Sequence, residues 1–271
     1  MSKANKIKRP NHGLIVTAIV ILLIILGVGA LLVYDKLKAV YLEQCVISDM
    51  PSQVEITSGK MVHPSTIAEE LGLRVGANLA LIDFAVKRAE LLEKVPNLRS
   101  IRIARQLPDK VIVTAEERTP VARMGLKGKT KETGRVVDTE GMVFICQRGT
   151  QTLPVIREAL PPGTQKGQRI TRRTLAALRL IEACREPGFA DFGILEVDVS
   201  KPDFLLATLG NYSKVKIAWN EMDEQTPSAR TDLRARLGNL QKAIRSQIAP
   251  NTTIWNATMP DTVFADTQRK L

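Results

Sequence analysis

The chain has 271 residues and a formal net charge of +11, while aromatic side chains make up only 4% of it. Its Lys and Arg residues are scattered with few aromatic residues among them, a pattern that argues against a nucleic-acid-binding surface. A solvated surface that faces anionic lipid headgroups or an acidic partner explains the charge better. The cysteines, Cys45, Cys146 and Cys184, are odd in number and include no CxxC pair, which predicts buried thiols rather than a disulfide framework.

The first predicted element is a transmembrane helix. An uncharged apolar run covers residues 14–34, with Leu14 and Tyr34 at its ends. About 20 apolar residues suffice for a helix to cross the hydrocarbon core, whereas a cleaved signal peptide has an apolar region of about 7 to 15 residues. We therefore expect an uncleaved anchor. Cations but no acidic residue precede the run, which predicts a cytoplasmic tail at 1–13 and an extracytoplasmic position for everything after Tyr34.

The next predicted elements are a stalk and a compact α+β domain. The helix is expected to continue through 35–50 as a stalk until Pro51 ends it. The following order is a strand, a helix that starts at Pro64, a helix capped by Asp83, and a hairpin of two strands. This order predicts a three-stranded sheet with two helices on one face, which spans residues 51–122.

A second domain is predicted beyond a Lys-rich linker at 123–135. Residues 136–271 predict two strands around a Glu-Gly turn, a helix capped by Thr171, a three-stranded meander and a second amphipathic helix. The apolar residues of that last helix recur at helical spacing, which is typical of a helix packed on its own sheet. Two short segments, at 253–257 and 262–265, are each long enough to form a further strand.

Two motifs in the first domain carry a resemblance to a known family. Residues 105–113, RQLPDKVIV, and residues 117–122, ERTPVA, resemble the strand turn and the closing segment of the POTRA domain in FtsQ/DivIB bacterial cell-division proteins. The segment at 137–144, VDTEGMVF, is similar to the opening of that family's second domain. Leu107 and Asn97 depart from the family pattern, which usually has aromatic residues there.

The resemblance implies both a fold and a function. The implied fold is a single-pass membrane protein whose α+β ectodomain has a POTRA domain, strand-helix-helix-strand-strand, followed by a mostly antiparallel β-domain with two helices. The implied function is that of a non-enzymatic scaffold that links early and late division proteins at the septum, anchored in the cell inner membrane with a periplasmic or extracytoplasmic ectodomain. The implied partners are small bitopic proteins of the FtsB and FtsL kinds, other divisome components, and membrane lipid through one helix.

The resemblance also implies where a partner binds. In that family the last strand lies at a sheet edge, where a partner chain is expected to add a strand. This predicts a partner-binding strand formed by Thr262, Val263, Phe264 and Ala265. The preceding run at 256–259 departs from the family pattern, so the resemblance implies no partner contact for it.

The sequence predicts no catalytic, metal or cofactor site. The two histidines, His12 and His63, fall in different predicted compartments, and the sequence carries no motif for a catalytic nucleophile. We therefore expect no small-molecule substrate and no nucleic-acid partner. The alternatives are a membrane-anchored cell-wall enzyme that uses a POTRA-like module for targeting, and a POTRA-bearing assembly factor, although such factors usually carry tandem POTRA repeats and a membrane barrel.

Overall fold

The computed structural model describes residues 12–126, 134–146, 148–158, 170–246 and 254–265. Contacts divide the chain into two compact units. The first combines Met1–Thr57, Pro64–Arg88 and Arg102–Thr114, and the second combines Ser58–His63, Ala89–Ile101 and Ala115–Leu271. Residues of the predicted first domain, 51–122, therefore occur in both units.

The first unit begins with a long helix, α1 (His12–Gln44), which includes both predicted ends of the apolar run, Leu14 and Tyr34. Among the described residues, α1 is the helix that is long and apolar enough to cross a membrane. Its large apolar side chains from Ile19 onward are exposed, as expected of a helix that is surrounded by lipid rather than by protein. In the part of the chain that the structure describes, α1 is therefore the one candidate membrane span, as predicted.

The stalk differs from the prediction, because α1 ends at Gln44 and not at Pro51. The chain leaves the helix where Ile47 becomes buried, and the backbone of Ile47 forms two hydrogen bonds of 2.8 Å with the loop at 76–77. Pro51 instead lies in the first turn of α2 (Met50–Gln53), a short helix that the sequence analysis missed. A proline fits there because the N–H groups of a first turn have no partner within the helix.

A three-stranded sheet with two helices follows α2. Its elements are β1 (Val54–Thr57), α3 (Pro64–Leu71), α4 (Phe84–Lys94), β2 (Leu98–Gln106) and β3 (Lys110–Glu117). The strands lie in the order β1-β3-β2, and β1 runs parallel to β3. At the start of α4, the Asp83 carboxylate accepts hydrogen bonds from the backbone N–H groups of Ala85 and Val86, as predicted for an N-cap. The predicted order strand, helix, helix, strand, strand is confirmed.

The second unit is built on a nine-stranded mixed sheet. Its strands are β4 (Ala122–Leu126), β5 (Arg135–Val137), β6 (Val143–Ile145), β7 (Val155–Glu158), β8 (Glu196–Asp198), β9 (Leu205–Thr208), β10 (Lys214–Ile217), β11 (Ile254–Ala257) and β12 (Phe264–Ala265). They lie in the order β12-β11-β10-β9-β8-β7-β4-β5-β6. The pairs β4/β7, β7/β8 and β10/β11 are parallel, and the other neighbours are antiparallel, as predicted for most of this domain.

Two helices, α5 (Arg172–Cys184) and α6 (Pro227–Arg245), provide crossovers between parallel neighbours. α5 lies between β7 and β8 in the chain, and α6 lies between β10 and β11. Thr171 and Thr226 cap the two helices, since each hydroxyl accepts a hydrogen bond from a backbone N–H of the first turn. Apolar side chains of both helices and of the covered sheet face form the main core, among them Leu178, Ile181, Leu233, Val197 and Trp255.

Residues 123–126, expected to belong to a linker, form part of β4. Ala122 and Met124 are buried in the main core, and β4 pairs with both β5 and β7 inside the sheet. The strand therefore exists because of partners that come later in the chain. Residues 127–133, the rest of the predicted linker apart from Gly134 and Arg135, lie outside the described residues.

The cysteines Cys45, Cys146 and Cys184 are free and buried, as predicted. Burial, with a smaller contribution from the charge of Glu186, raises the pKa of the Cys184 thiol to about 12. A thiol that stays protonated is a poor nucleophile, so Cys184 acts as a small apolar residue of the core.

Candidate partner-binding edge

β12 lies at one edge of the nine-stranded sheet. On its inner side it pairs with β11 in antiparallel register, with Phe264 opposite Asn256. On its outer side, no described strand pairs with it. An edge strand presents backbone N–H and C=O groups that an added strand can bond. The predicted binding residues therefore reach a sheet edge, because Phe264 and Ala265 form β12 while Thr262 and Val263 lead into it.

The side chains of this edge point alternately to the two faces of the sheet, as strand geometry requires. Val263 packs against the main core. Phe264 points to the opposite face and exposes 44% of its surface. Asn256, its cross-strand neighbour, lies between the buried residues Trp255 and Ala257 and shares that opposite face. Phe264 thus places an accessible aromatic ring on the outermost of the described strands.

Phe264 ends a row of side chains that crosses the sheet on this face. The strand register places Asn256, Lys216 and Leu206 in succession from the edge inward. The Lys216 ammonium group lies over the Phe204 ring, 5.8 Å from the ring centre, which is a cation–π distance. A strand added beside β12 would continue this row, and on this face its nearest neighbour in β12 would be the Phe264 ring.

A buried arginine of α6 holds the turn between β11 and β12. Arg236 is only 4% exposed, and its guanidinium donates a hydrogen bond to the Thr258 carbonyl oxygen at 2.6 Å. It also donates to both carboxylate oxygens of Asp232, at 2.9 and 3.3 Å. Further along α6, the Asn239 side chain donates to the Pro260 carbonyl oxygen at 3.4 Å. These bonds hold the turn that leads into β12. We call the ion pair of Asp232 and Arg236 the clamp.

Asn256 closes the same turn from the strand side. Its side-chain oxygen accepts hydrogen bonds from the Thr258 backbone N–H at 3.1 Å and from the Thr258 hydroxyl at 2.8 Å. Asn favours such turns because its side chain bonds the backbone two residues further on. Met259 follows in the turn with an exposed side chain. The run at 256–259, which departs from the family pattern, therefore forms the turn that leads into β12.

The Asp232 carboxylate is the negative charge of the clamp. Burial raises its pKa, but hydrogen bonds from the Arg236 side chain and from the Asn220 backbone N–H outweigh burial, so that the pKa lies below its ordinary value. The Asn220 N–H donates to the carboxylate at 2.9 Å. Asp232 is therefore ionised at neutral pH and keeps its two hydrogen bonds to Arg236.

The sequence analysis missed the clamp, although a signal for it was present. An acidic residue four positions before a basic residue on one helix often forms an ion pair, and Asp232 and Arg236 have this spacing. Arg236 lies next to Leu237 among the buried residues of α6. The other partner of Arg236, the Thr258 carbonyl oxygen, is distant in sequence, so only the fold brings the two together.

The opposite edge of the sheet, β6, is less open than β12. The side-chain amide of Asn97 donates a hydrogen bond to the carbonyl oxygen of Ile145 in β6 at 2.8 Å. A carbonyl that already accepts a hydrogen bond offers less to an added strand. Of the two sheet edges, β12 is therefore the better candidate for strand addition.

The ERTPVA motif forms a second charged cluster within the same unit. The Arg118 side chain, which is 11% exposed, lies 2.6 Å from the Asp138 carboxylate and 3.0 Å from the Glu140 carboxylate. Hydrogen bonds from Arg118 and Arg99 lower the pKa of Glu140. Arg118 belongs to ERTPVA, and both carboxylates belong to VDTEGMVF. Ion pairs thus connect these two motifs, which gives both of them a structural role.

Comparison with known proteins recognises the segment from α2 to β3. Residues 51–118 match the family model described as POTRA domain, FtsQ-type. The matched segment contains the strand-helix-helix-strand-strand arrangement and the RQLPDKVIV turn. The match supports the resemblance to FtsQ/DivIB proteins that the sequence motifs carry. No match to a curated protein was found.

Proposed function

The chain carries an FtsQ-type POTRA domain, and from this premise we propose that it is a non-enzymatic scaffold of the bacterial division machinery. The FtsQ-type domain indicates a cell-division protein, and α1 provides its membrane anchor. In the proposed role the protein links early and late division proteins at the septum through protein-protein contacts. The cations before α1 favour a cytoplasmic N-terminus, which would place the ectodomain in the periplasm.

The observation that carries the proposed mechanism is the edge position of β12. A partner adds a strand along residues 262–265, with its backbone bonded to the outer side of β12. The proposed partners are small bitopic division proteins of the FtsB and FtsL kinds. These proteins would bring their own membrane helices beside α1, so that the two chains are held together both in the bilayer and at the sheet edge.

Backbone and side-chain contacts contribute differently at this edge. Each backbone hydrogen bond to an added strand contributes about 0.5–1.5 kcal/mol net. Covering the exposed part of the Phe264 ring contributes about 1 kcal/mol, since full burial of such a side chain is worth about 1.5–3 kcal/mol. The backbone therefore supplies most of the affinity, while Phe264 favours a partner strand with an apolar side chain beside it.

Proline substitutions at Val263 and Phe264 test the edge, because proline has no backbone N–H. The N–H groups of successive strand residues point in opposite directions, so one of the two faces β11 and the other faces outward. We expect proline at the outward position to weaken capture of the FtsB-like and FtsL-like proteins, because one backbone hydrogen bond to the partner is lost, with little change in the free energy of unfolding. The measurement is co-purification of full-length protein with both candidates from detergent-solubilised membranes.

The matched controls are Val263→Ala and Phe264→Ala, which truncate the same side chains but keep the N–H groups. At the outward position, alanine should weaken capture less than proline does, because alanine keeps the backbone N–H that bonds the partner. If both proline variants fold and still capture the candidates, strand addition at β12 is wrong. If the wild-type protein captures neither candidate, the proposed partners are wrong, whatever the variants do.

A further inference from the structure

Within the first unit, the loop at 77–82 is joined directly to the end of α1. The Asn78 side-chain amide donates a hydrogen bond to the Leu42 carbonyl oxygen at 2.7 Å. The Leu79 backbone N–H donates to the Cys45 carbonyl oxygen at 2.8 Å. The loop is therefore fixed to the membrane helix itself and not only connected to it through the chain.

The residues that follow this loop extend back along α1 toward the apolar run. Arg105 donates a hydrogen bond to the Ile82 carbonyl oxygen, and its guanidinium lies over the Phe84 ring, 4.7 Å from the ring centre. Asn78 forms an antiparallel bridge with Val46, so the residues that follow Asn78 run back toward the end of α1. Ile82 and its neighbours therefore lie beside the last turns of α1, on the side of Cys45 that is nearer to the membrane.

Leu81, immediately before Ile82, is a large apolar residue that exposes 72% of its surface. Its position is fixed, because its backbone N–H donates a hydrogen bond to the Asn78 carbonyl oxygen at 3.1 Å. Leu107, two residues after Arg105, is also exposed. Exposed apolar side chains close to the end of a membrane helix can enter the boundary between headgroups and acyl chains.

The length of α1 places Leu81 near the lipid headgroups. Tyr41 lies about 10 Å beyond Tyr34, the predicted end of the apolar run, at a rise of about 1.5 Å per residue. The headgroup layer extends roughly 5 to 8 Å beyond the hydrocarbon core on each side. A membrane helix is tilted by about 20° on average, which shortens the distance along the bilayer normal. The Leu81 side chain then needs to extend only a short way to enter the headgroup layer.

We propose that Leu81 and Leu107 form a membrane-contact surface that docks the first unit on the lipid headgroups of the bilayer crossed by α1. The proposal rests on α1 as a membrane helix and does not depend on the division function. Such docking restricts how the unit rotates about the end of α1. The protein is then held by the membrane at two points, the helix and this surface.

Charged residues close in sequence to Leu81 and Leu107 have both signs, with Arg105 and Lys110 basic and Asp83 and Asp109 acidic. Opposite charges at similar distances cancel much of the attraction to anionic lipid. Apolar contact rather than net charge therefore drives the docking, and a zwitterionic phospholipid bilayer should suffice for it.

A spin label at Leu81→Cys tests this contact in full-length protein reconstituted into zwitterionic phospholipid vesicles. The native cysteines are free but buried, so they need not be removed, and unlabelled background is checked on the wild-type protein. Thr114→Cys is the matched control, because Thr114 is exposed in the same unit and lies in the middle of β3, several residues from the turn that contains Leu107. The measured quantity is the ratio of label accessibility to oxygen, which concentrates in lipid, and to a water-soluble nickel chelate.

We expect this ratio to be several-fold higher at Leu81 than at Thr114, and to remain so when anionic lipid is added. Equal, water-like ratios at both positions would overturn the proposal. Lipid-like ratios at both positions would also overturn it, because they indicate a unit that lies on the membrane without the specific contact at Leu81.

Discussion

At the scale of single residues, Phe264 is exposed at the candidate edge and stabilises the fold little. We therefore expect Phe264→Ala to weaken binding of the captured partner about 5-fold, a loss of about 1 kcal/mol, because the partner no longer covers the exposed part of the ring. The free energy of unfolding should change by less than about 0.5 kcal/mol. Titration of purified full-length protein with the partner, beside a denaturant melt, measures both quantities.

Met259→Ala is the matched control for Phe264, since Met259 is also an exposed apolar residue but lies in the turn before β12. A partner strand that adds to β12 does not need to cover it. Equal losses of affinity from both substitutions would indicate a partner bound across the turn rather than along the strand.

Arg118, unlike Phe264, is expected to stabilise the fold rather than to contact a partner, because its side chain is buried against two carboxylates. Arg118→Ala should lower the free energy of unfolding by about 3 kcal/mol, since it leaves the buried Asp138 carboxylate without its ionic partner. Arg99→Ala removes another contact to Glu140 but at an exposed position, where the loss should stay below about 1 kcal/mol. Urea unfolding of both variants in detergent measures their free energies of unfolding. Similar losses for the two variants would contradict a structural role for the buried pair of Arg118 and Asp138.

Asp232 gives the clamp a predicted dependence on pH. Its pKa in the folded protein lies below the ordinary value, so its contribution to stability is fully present above about pH 4 and is lost as the pH falls through the folded pKa. The difference in unfolding free energy between the wild type and Asp232→Asn should thus be constant near neutral pH and shrink below about pH 4. In an Arg236→Leu background this pH dependence should largely disappear. If the difference in unfolding free energy between the wild type and Asp232→Asn grew as the pH fell, the pKa of Asp232 in the folded protein would not be lowered.

At the scale of elements, local signals in the sequence predict the helices and strands that carry them. α4 starts after the Asp83 cap and stops before Pro96 as predicted, because both signals act within one turn of the chain. β4 carries a weak pattern, with Ala122 and Met124 as its buried residues, and depends on β5 and β7 for its hydrogen bonds. Its place in the sheet could not be predicted from its own residues.

For the candidate site too, the sequence predicts the strand itself from local residues, but not the position of that strand in the sheet. Strand-forming residues at 262–265 are visible in the sequence, and the edge position was implied only by the family resemblance. The order of strands is a tertiary property, because β11 joins β10 across the whole of α6. The bond from Arg236 to Thr258, which sets the turn, depends on that same arrangement and escaped prediction.

At the scale of the whole molecule, the orientation of α1 decides where the candidate edge is accessible. Asp203→Cys, at an exposed position of the ectodomain, should react with a membrane-impermeant maleimide in cells whose outer barrier has been opened, because the cations before α1 favour a cytoplasmic N-terminus. Ser2→Cys should react only after lysis, and the buried native cysteines provide the background. If Ser2→Cys alone were labelled before lysis, the orientation of α1 would be opposite to the predicted one.

The order of elements along the chain also sets the timing of assembly during synthesis. α1 precedes all the described strands, whereas β12 follows them all. Since chains fold from the N-terminus as they leave the ribosome, the anchor can enter the membrane while most of the large sheet is still untranslated. The edge strand and the turn held by Arg236 emerge last. A nascent chain that has not reached β12 cannot offer this particular edge, so a partner that binds there is recruited only after the anchor has been translated.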